Sequence, residues 1–458
     1  MVKNNSTQFT SLPYAHGRRV LQASSNKFFS TIIATQFILT CLVSYFVMIW
    51  LTEWPTFSIF IVDLFFCLYL CSIFTHKLRY VFLLHPFFLW ISGQLFSVPF
   101  IELGDGPAYK FVINNYINDP DMLVSTSVSM GMIETFKYAS LGIAPVFGIP
   151  EYFYGAPESN VYFLWQGCFH IILVAACVTL AKVWRVVRDE YLFVVALFAV
   201  VSPSFCEFVV APTRHVVTFA SIFLFYISFI AIIQRVTLSR LGALLAAVLL
   251  VIISKFTLLI PILLFCMYYI LFESAGKSIS KSKKILIFTA LICAVSLGYE
   301  IFSTKISEYG VNSLSGANTF SGIVAIPVLG IFFKYLYALL APFPWHEAPI
   351  FIDTTYGGNH LMFVMHMLSS LTGIYFFVRL LFYGKPLLKQ YLDLRPMVMF
   401  AFIMSLSILM GSTGFHMYLS IYFPFLAPLF LIKTFRLSYY VPLVFVIVVE
   451  VVYAVAKL

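Results

Sequence analysis

The stretch LGALLAAVLLVIISKFTLLIPILLFCMYYILF, Leu241–Phe272, decides how the rest of the chain is read. Its apolar run is longer than the ~20 residues that one helix needs to cross a bilayer. It carries Ser254 and Lys255 near its middle, and Pro261 follows shortly after. A charge at the centre of a span is costly, and a proline interrupts helical hydrogen bonding. Two short helices meeting at Lys255 therefore fit better than one very long helix. The flanking segments, QRVTLSR before and ESAGKSISKSKK after, are polar and basic.

Moving outward, the same alternation repeats. Of 458 residues, 61% are hydrophobic, 18% aromatic and only 10% charged, a balance foreign to soluble globular domains. Further apolar windows lie near 29–51, 56–74, 80–101, 161–184, 190–210, 214–234, 283–302, 360–383, 395–413, 415–432 and 437–456. The chain thus reads as all-α: one integral membrane domain over 1–458, a polytopic transmembrane helical bundle of about 12–14 spans. Residues 1–28 are polar and too long before the first apolar run for a cleavable secretory signal, so they read as a cytoplasmic tail. Most of the eight cysteines fall inside apolar runs without metal-ligand spacing and read as small core residues. The net charge of +9 is scattered among short loops. That pattern fits loops held against anionic lipid and gives no reason to expect nucleic acid.

Lysine and arginine set the orientation. With the N-terminus inside, 21 of the 28 basic residues fall on the cytoplasmic side, whereas 14 of the 19 acids fall outside. Parity then singles out Asn318–Trp345, which looks like a span but would put Lys385, Lys389 and Arg395 outside if it crossed. It reads as a re-entrant or interfacial helix within an external segment, 303–359. The large external (periplasmic) loop is 102–160.

Sorting polar residues by side gathers a constellation on the outer face. FVVAPTRHVVTF puts Arg214 and His215 in the first turn of a span, where free N–H groups and the helix dipole favour an anion. An arginine fork there can hold a phosphate at two points, or snorkel to lipid headgroups. Lys255 is either a second phosphate contact or a hairpin tip dipping into external water. APFPWHEAPIFID places Trp345 at an interface, with His346 and Glu347 after it. The tryptophan can anchor in the membrane or stack on a sugar; the His-Glu pair can serve as acid, base or sugar-binding groups. His360 and His416 stand at other external ends, and the spacing of these groups resembles no metal motif. In IELGDGPAYKF, the glycines permit a tight turn that would aim Asp105 and Tyr109 at the same face. Asp63, inside the window 56–74, is either a packed, hydrogen-bonded polar residue or part of an ion path.

GDGPAY opening the long loop, SPSF…APTRH around a helix start, and APFPW in a late external segment together resemble bacterial polysaccharide-assembly proteins of the O-antigen (Wzy-type) polymerase-like group. More broadly, the chain resembles membrane glycosyltransferases that use polyprenyl carriers. The resemblance implies an enzyme of the bacterial inner membrane that joins undecaprenyl-pyrophosphate-linked oligosaccharides at the periplasmic face. It implies no cofactor and no metal, and a chain-length regulator as a protein partner. Arg214 and Lys255 would hold the pyrophosphate, with Tyr109, Trp345 and His416 completing substrate binding. His215, His346 or His360 would be the base, and Asp105 and Glu347 would orient sugar hydroxyls or share that role. One feature departs from the pattern: MGSTGFHMYLSIYFPF carries only His416 where related proteins often carry an arginine.

Two rivals remain open. A GT-C-type transferase moving one sugar from a polyprenyl phosphate would place an acid in the first external loop, here only TEWP with Glu53. A transporter or flippase for a lipid-linked sugar would show midplane charges and two related halves. Only Asp63 stands out as an embedded acid, and no repeat is visible.

Overall fold

The computed structural model describes residues 55–73, 77–95, 215–234, 236–255, 258–273, 395–405 and 440–457, with single helical positions at 167–174, 209 and 364–389. Among the described residues there is no strand; nearly all are helical. They fall into two units, Met1–Phe256 and Thr257–Leu458.

In the first unit, α1 spans Pro55–Ile73 and begins on a proline, whose missing N–H is not needed at a helix start. The window 80–101 divides: a 3₁₀ helix covers Lys77–Leu84, and α2 covers His85–Leu95. Pro86 explains the division. Its ring excludes an α-helical turn from the residues before it, yet fits the first turn of the helix that follows. The corner is closed by Cys71, whose thiol donates to the Arg79 carbonyl at 3.0 Å. Arg79 in turn donates to the Cys71 carbonyl at 3.4 Å and to the Tyr80 hydroxyl at 3.1 Å. The bond to Tyr80 raises the guanidinium pKa further above its ordinary value. Phe60 meets Phe87 edge-on at 5.2 Å, and Asp63 meets His85, so α1 and α2 run antiparallel.

Among the described residues, two helices are long and apolar enough to cross a membrane: α3, His215–Gln234, with a crossing window His215–Ile233, and α4, Leu238–Lys255. They pack side by side across a short connection. Their environments differ, with 83% of the α3 window buried and only 28% of α4. In α3 the hydroxyls of Ser221 and Ser228 donate to the carbonyls of Thr218 and Leu224, both at 2.6 Å. Those bonds satisfy polar groups where no solvent reaches. In α4, Arg240, Ala243, Ala247, Val251 and Ser254 form the buried stripe, while Leu241, Leu245 and Leu249 line the exposed face. Small alanines allow close helix approach, and an outward leucine stripe suits a lipid-facing surface.

The connection is pinned by its own side chains. Thr237 accepts from the Arg240 N–H at 3.4 Å as an N-cap, and its carbonyl takes the Leu241 N–H at 3.0 Å. The Arg240 guanidinium, 1% exposed, reaches back to donate to the Ala231 carbonyl at 2.8 Å. A cation is thereby held at the carbonyl end of α3, where the helix dipole favours it. α4 ends at Lys255, and the next helix begins within a few residues, so the break expected in the opening stretch is present.

In the second unit, α5 covers Leu259–Tyr268 and ends in a π turn, Tyr269–Glu273. Pro261 sits in its first turn, where it costs no hydrogen bond. α5 packs on α6, Arg395–Ser405, with Phe265 edge-on to Phe400 at 4.7 Å. Arg395 Nε donates to Glu273 Oε1 at 2.8 Å and to the Tyr268 hydroxyl at 3.0 Å; Tyr268 also donates to Glu273. α7 covers Val441–Lys457, and most of its described side chains are exposed and apolar.

Arg240→Ala should destabilise the hairpin by about 1.5–3 kcal/mol, the range for a hydrogen bond to a charged group. Thermal unfolding of the purified protein in detergent would show it as a lowered midpoint. An unchanged midpoint would mean that Arg240 contributes nothing to closing the connection.

Candidate functional site

The residues expected to face outward are only partly described. His215 opens α3 at 8% exposure, its ring centroid 6.2 Å from that of Phe219. Lys255 closes α4 and is half-buried. At 1.5 Å per residue the helices are about 30 and 27 Å long, so the start of α3 and the end of α4 share one end of the hairpin. His215 and Lys255, separated by forty positions, are thus brought to the same end. Arg214, Asp105, Tyr109, Trp345, His346, Glu347, His360 and His416 lie outside the described residues, as do the tail 1–28, the loop 102–160 and the segment 303–359.

A second cluster lies inside the apolar helices. Asp63, near the middle of α1, is 5% exposed; His85, the first residue of α2, and His170 are both fully buried. His85 Nδ1 and Asp63 Oδ2 share a 2.7 Å hydrogen bond, and His85 Nε2 shares one of 2.9 Å with Nδ1 of His170. Cys67, one turn after Asp63, donates its thiol to the same carboxylate oxygen at 3.7 Å. The chain carboxylate–imidazole–imidazole therefore ties together α1, α2 and the helical segment at 167–174.

Packing makes that contact possible. A Cβ on Gly167 would lie 2.7 Å from Leu89 Cδ1, so the absence of a side chain lets the two helices approach. Gly167 precedes His170 by one turn and Leu89 follows His85 by one turn, so the segments run antiparallel. The Phe88 ring, 5.0 Å from the ring of His170 and 6.3 Å from that of His85, covers both imidazoles. Val81, Phe82 and Leu89 are completely buried nearby in sequence, so these elements offer water little access.

The donor atoms of Asp63, Cys67 and His85 all lie within 4.8 Å of one another. Carboxylate, thiolate and imidazole are a donor set that divalent zinc accepts. In this arrangement His85 Nδ1 and Asp63 Oδ2 face each other at hydrogen-bond distance, 2.7 Å. As it stands, the geometry is a hydrogen-bonded chain of Asp63, His85 and His170.

No family model, curated protein or solved structure matches this chain.

Sequence reading weighed Asp63 as a packed, hydrogen-bonded residue or part of an ion path, and its hydrogen bonds are as the first of these requires. It passed over His85 and His170. The available signal was that both fall within apolar windows, where any ionisable side chain needs a partner.

Gly167→Val should force Leu89 aside and cost about 1–3 kcal/mol, the usual range for overpacking. Adding Leu89→Ala should recover part of that loss. Unfolding midpoints of the single and double variants test this, and equal midpoints would refute the close approach.

Proposed function

We propose that this chain is a multi-pass enzyme of the bacterial inner membrane that joins lipid-linked oligosaccharide repeats on the outer face. The observation that carries the reading is the shared hairpin end of His215 and Lys255, on the side where the sequence also gathers most of its acids. An imidazole and an ammonium at one end, with Arg214 immediately preceding His215 in sequence, suit a pyrophosphate and a proton acceptor together.

In this reading the hydroxyl of the acceptor sugar attacks the anomeric carbon of the donor. The new glycosidic bond forms as the bond from that carbon to the lipid pyrophosphate breaks. Arg214 and Lys255 stabilise the charge that develops on the leaving oxygen. The hydroxyl proton passes to one of the external bases, His215, His346 or His360, and Asp105 and Glu347 orient the sugar. Tyr109, Trp345 and His416 complete the sugar-binding surface, and a chain-length regulator is the expected protein partner. A GT-C-type single-sugar transferase would draw on the same groups.

A second reading, a transporter for a lipid-linked sugar, gains from Asp63, His85 and His170, because acid–imidazole chains within spans serve proton coupling in pumps and transporters.

The test uses purified full-length protein in liposomes with synthetic polyprenyl-pyrophosphate oligosaccharide. The polymerase reading expects a ladder of lengthened products, with Arg214→Ala and Lys255→Ala each lowering its formation by about 10²-fold or more, as expected for loss of a charge-stabilising group. Movement of unmodified substrate between leaflets without any ladder would reject it in favour of transport.

A further inference from the structure

We propose that Asp63, His85 and His170 form an intramembrane proton relay that stores one proton. This does not rest on the glycan reading: it follows from three buried ionisable groups joined end to end.

The hydrogen-bond pattern allows two arrangements that differ by one proton. In the first, Asp63 is a carboxylate, His85 is neutral with its proton on Nδ1, and His170 donates its Nδ1 proton to His85 Nε2. The cluster then carries one negative charge. In the second, a proton has arrived at Nε2 of His170, and the Nδ1 proton of His170 has crossed to His85 Nε2. His170 is again neutral, with its proton on the other nitrogen, while His85 is an imidazolium paired with Asp63. The cluster is then neutral overall. Release runs the same steps in reverse, so one proton enters, one is stored, and no other reactant is needed.

In the first arrangement the charge of Asp63 is met by hydrogen bonds from His85 and Cys67; in the second it is met by an imidazolium. Asp63 is 5% exposed and both histidines are fully buried. The nearest further titratable group on α1 is Cys67, whose thiol already donates to Asp63. Of the other titratable groups, Tyr69 and Cys71 lie further toward the C-terminal end of α1, and Lys77, Arg79 and Tyr80 lie in the 3₁₀ turn that follows it. Among the described residues, His85 is the one basic side chain bonded to Asp63, and His170 reaches it only through His85.

Position adds to the case. The relay passes from α1 through α2 to the segment at 167–174, elements that the sequence places in three different spans. Ser92, two turns after His85 on the same face of α2, is 1% exposed and has no hydrogen-bond partner for its hydroxyl among the described residues. A line of polar groups through packed apolar helices is what proton movement within a membrane requires.

The experiment is nitrogen NMR on full-length protein in nanodiscs, with ¹⁵N-labelled histidine, over roughly pH 5 to 9, where imidazole protonation normally falls. The expected result is a nitrogen–nitrogen coupling between His85 and His170, and one imidazolium shared by the pair. Asp63→Asn, which keeps size and hydrogen bonding but removes the charge, should alter the pH dependence of that signal. His170→Gln keeps a hydrogen-bonding partner for His85, so the protein should remain folded; the coupling should vanish, and proton exchange at His85 should slow at least tenfold. Histidines that stay neutral across the range, or a titration unmoved by Asp63→Asn, would overturn the proposal. So would one zinc ion per chain in the wild-type protein that is lost in Cys67→Ala, which would make the cluster a metal centre.

Discussion

His85 bonds through both of its ring nitrogens, to Asp63 on one side and His170 on the other, and the packing of three helical segments depends on that. In an apolar interior an ionisable group without a partner costs several kcal/mol. The partners here lie 22 and 85 positions away in sequence, so each polar demand can be met only by bringing another helix close. The apolar side chains then fill the space: Phe88 over the rings, Leu89 into the gap left by Gly167. Polar satisfaction selects the neighbours, and packing fixes their separation.

Arg240 shows the same rule without a carboxylate. A guanidinium 1% exposed near a helix start finds its acceptor in the last turn of the preceding helix, at the Ala231 carbonyl. Unsatisfied carbonyls at a helix end and a buried cation are each unfavourable, and each relieves the other. In the second unit, Arg395, Glu273 and Tyr268 form a comparable knot joining the end of α5 to the start of α6. It is partly exposed, however, so more of that junction rests on the Phe265–Phe400 contact.

The all-helical character was legible because it depends on averages. A composition of 61% hydrophobic residues in repeated long runs leaves helices as the economical way to satisfy the backbone. The break at Lys255 was legible too, because a lysine and a nearby proline are local signals. The 3₁₀ turn before His85 had a local signal in Pro86, but the window 80–101 was read for its hydropathy, which does not register a proline. His85 and His170 were hidden by the same averaging: a single histidine barely lowers the mean of an apolar window. Their pairing across 85 positions has no periodicity to betray it. The outer-face constellation was read from sidedness, and among the described residues its members His215 and Lys255 stand at one end of the α3–α4 hairpin.

The two clusters make different physical demands and need not compete. A site for a lipid-linked phosphate belongs at a helix end, where the dipole, the cation and water access coincide. A proton store belongs where water is excluded, because only there does one charge alter the energy of the surrounding helices strongly. α3 and α4 present the first kind of place at their shared end; α1, α2 and the segment at 167–174 enclose the second. The relay is also the more informative of the two about mechanism. A chain that merely anchored sugars at one face would have no need of a carboxylate in the middle of α1, and an apolar residue there would pack at lower cost. Two imidazoles in line with Asp63 give the carboxylate and both rings hydrogen-bonding partners where water does not reach.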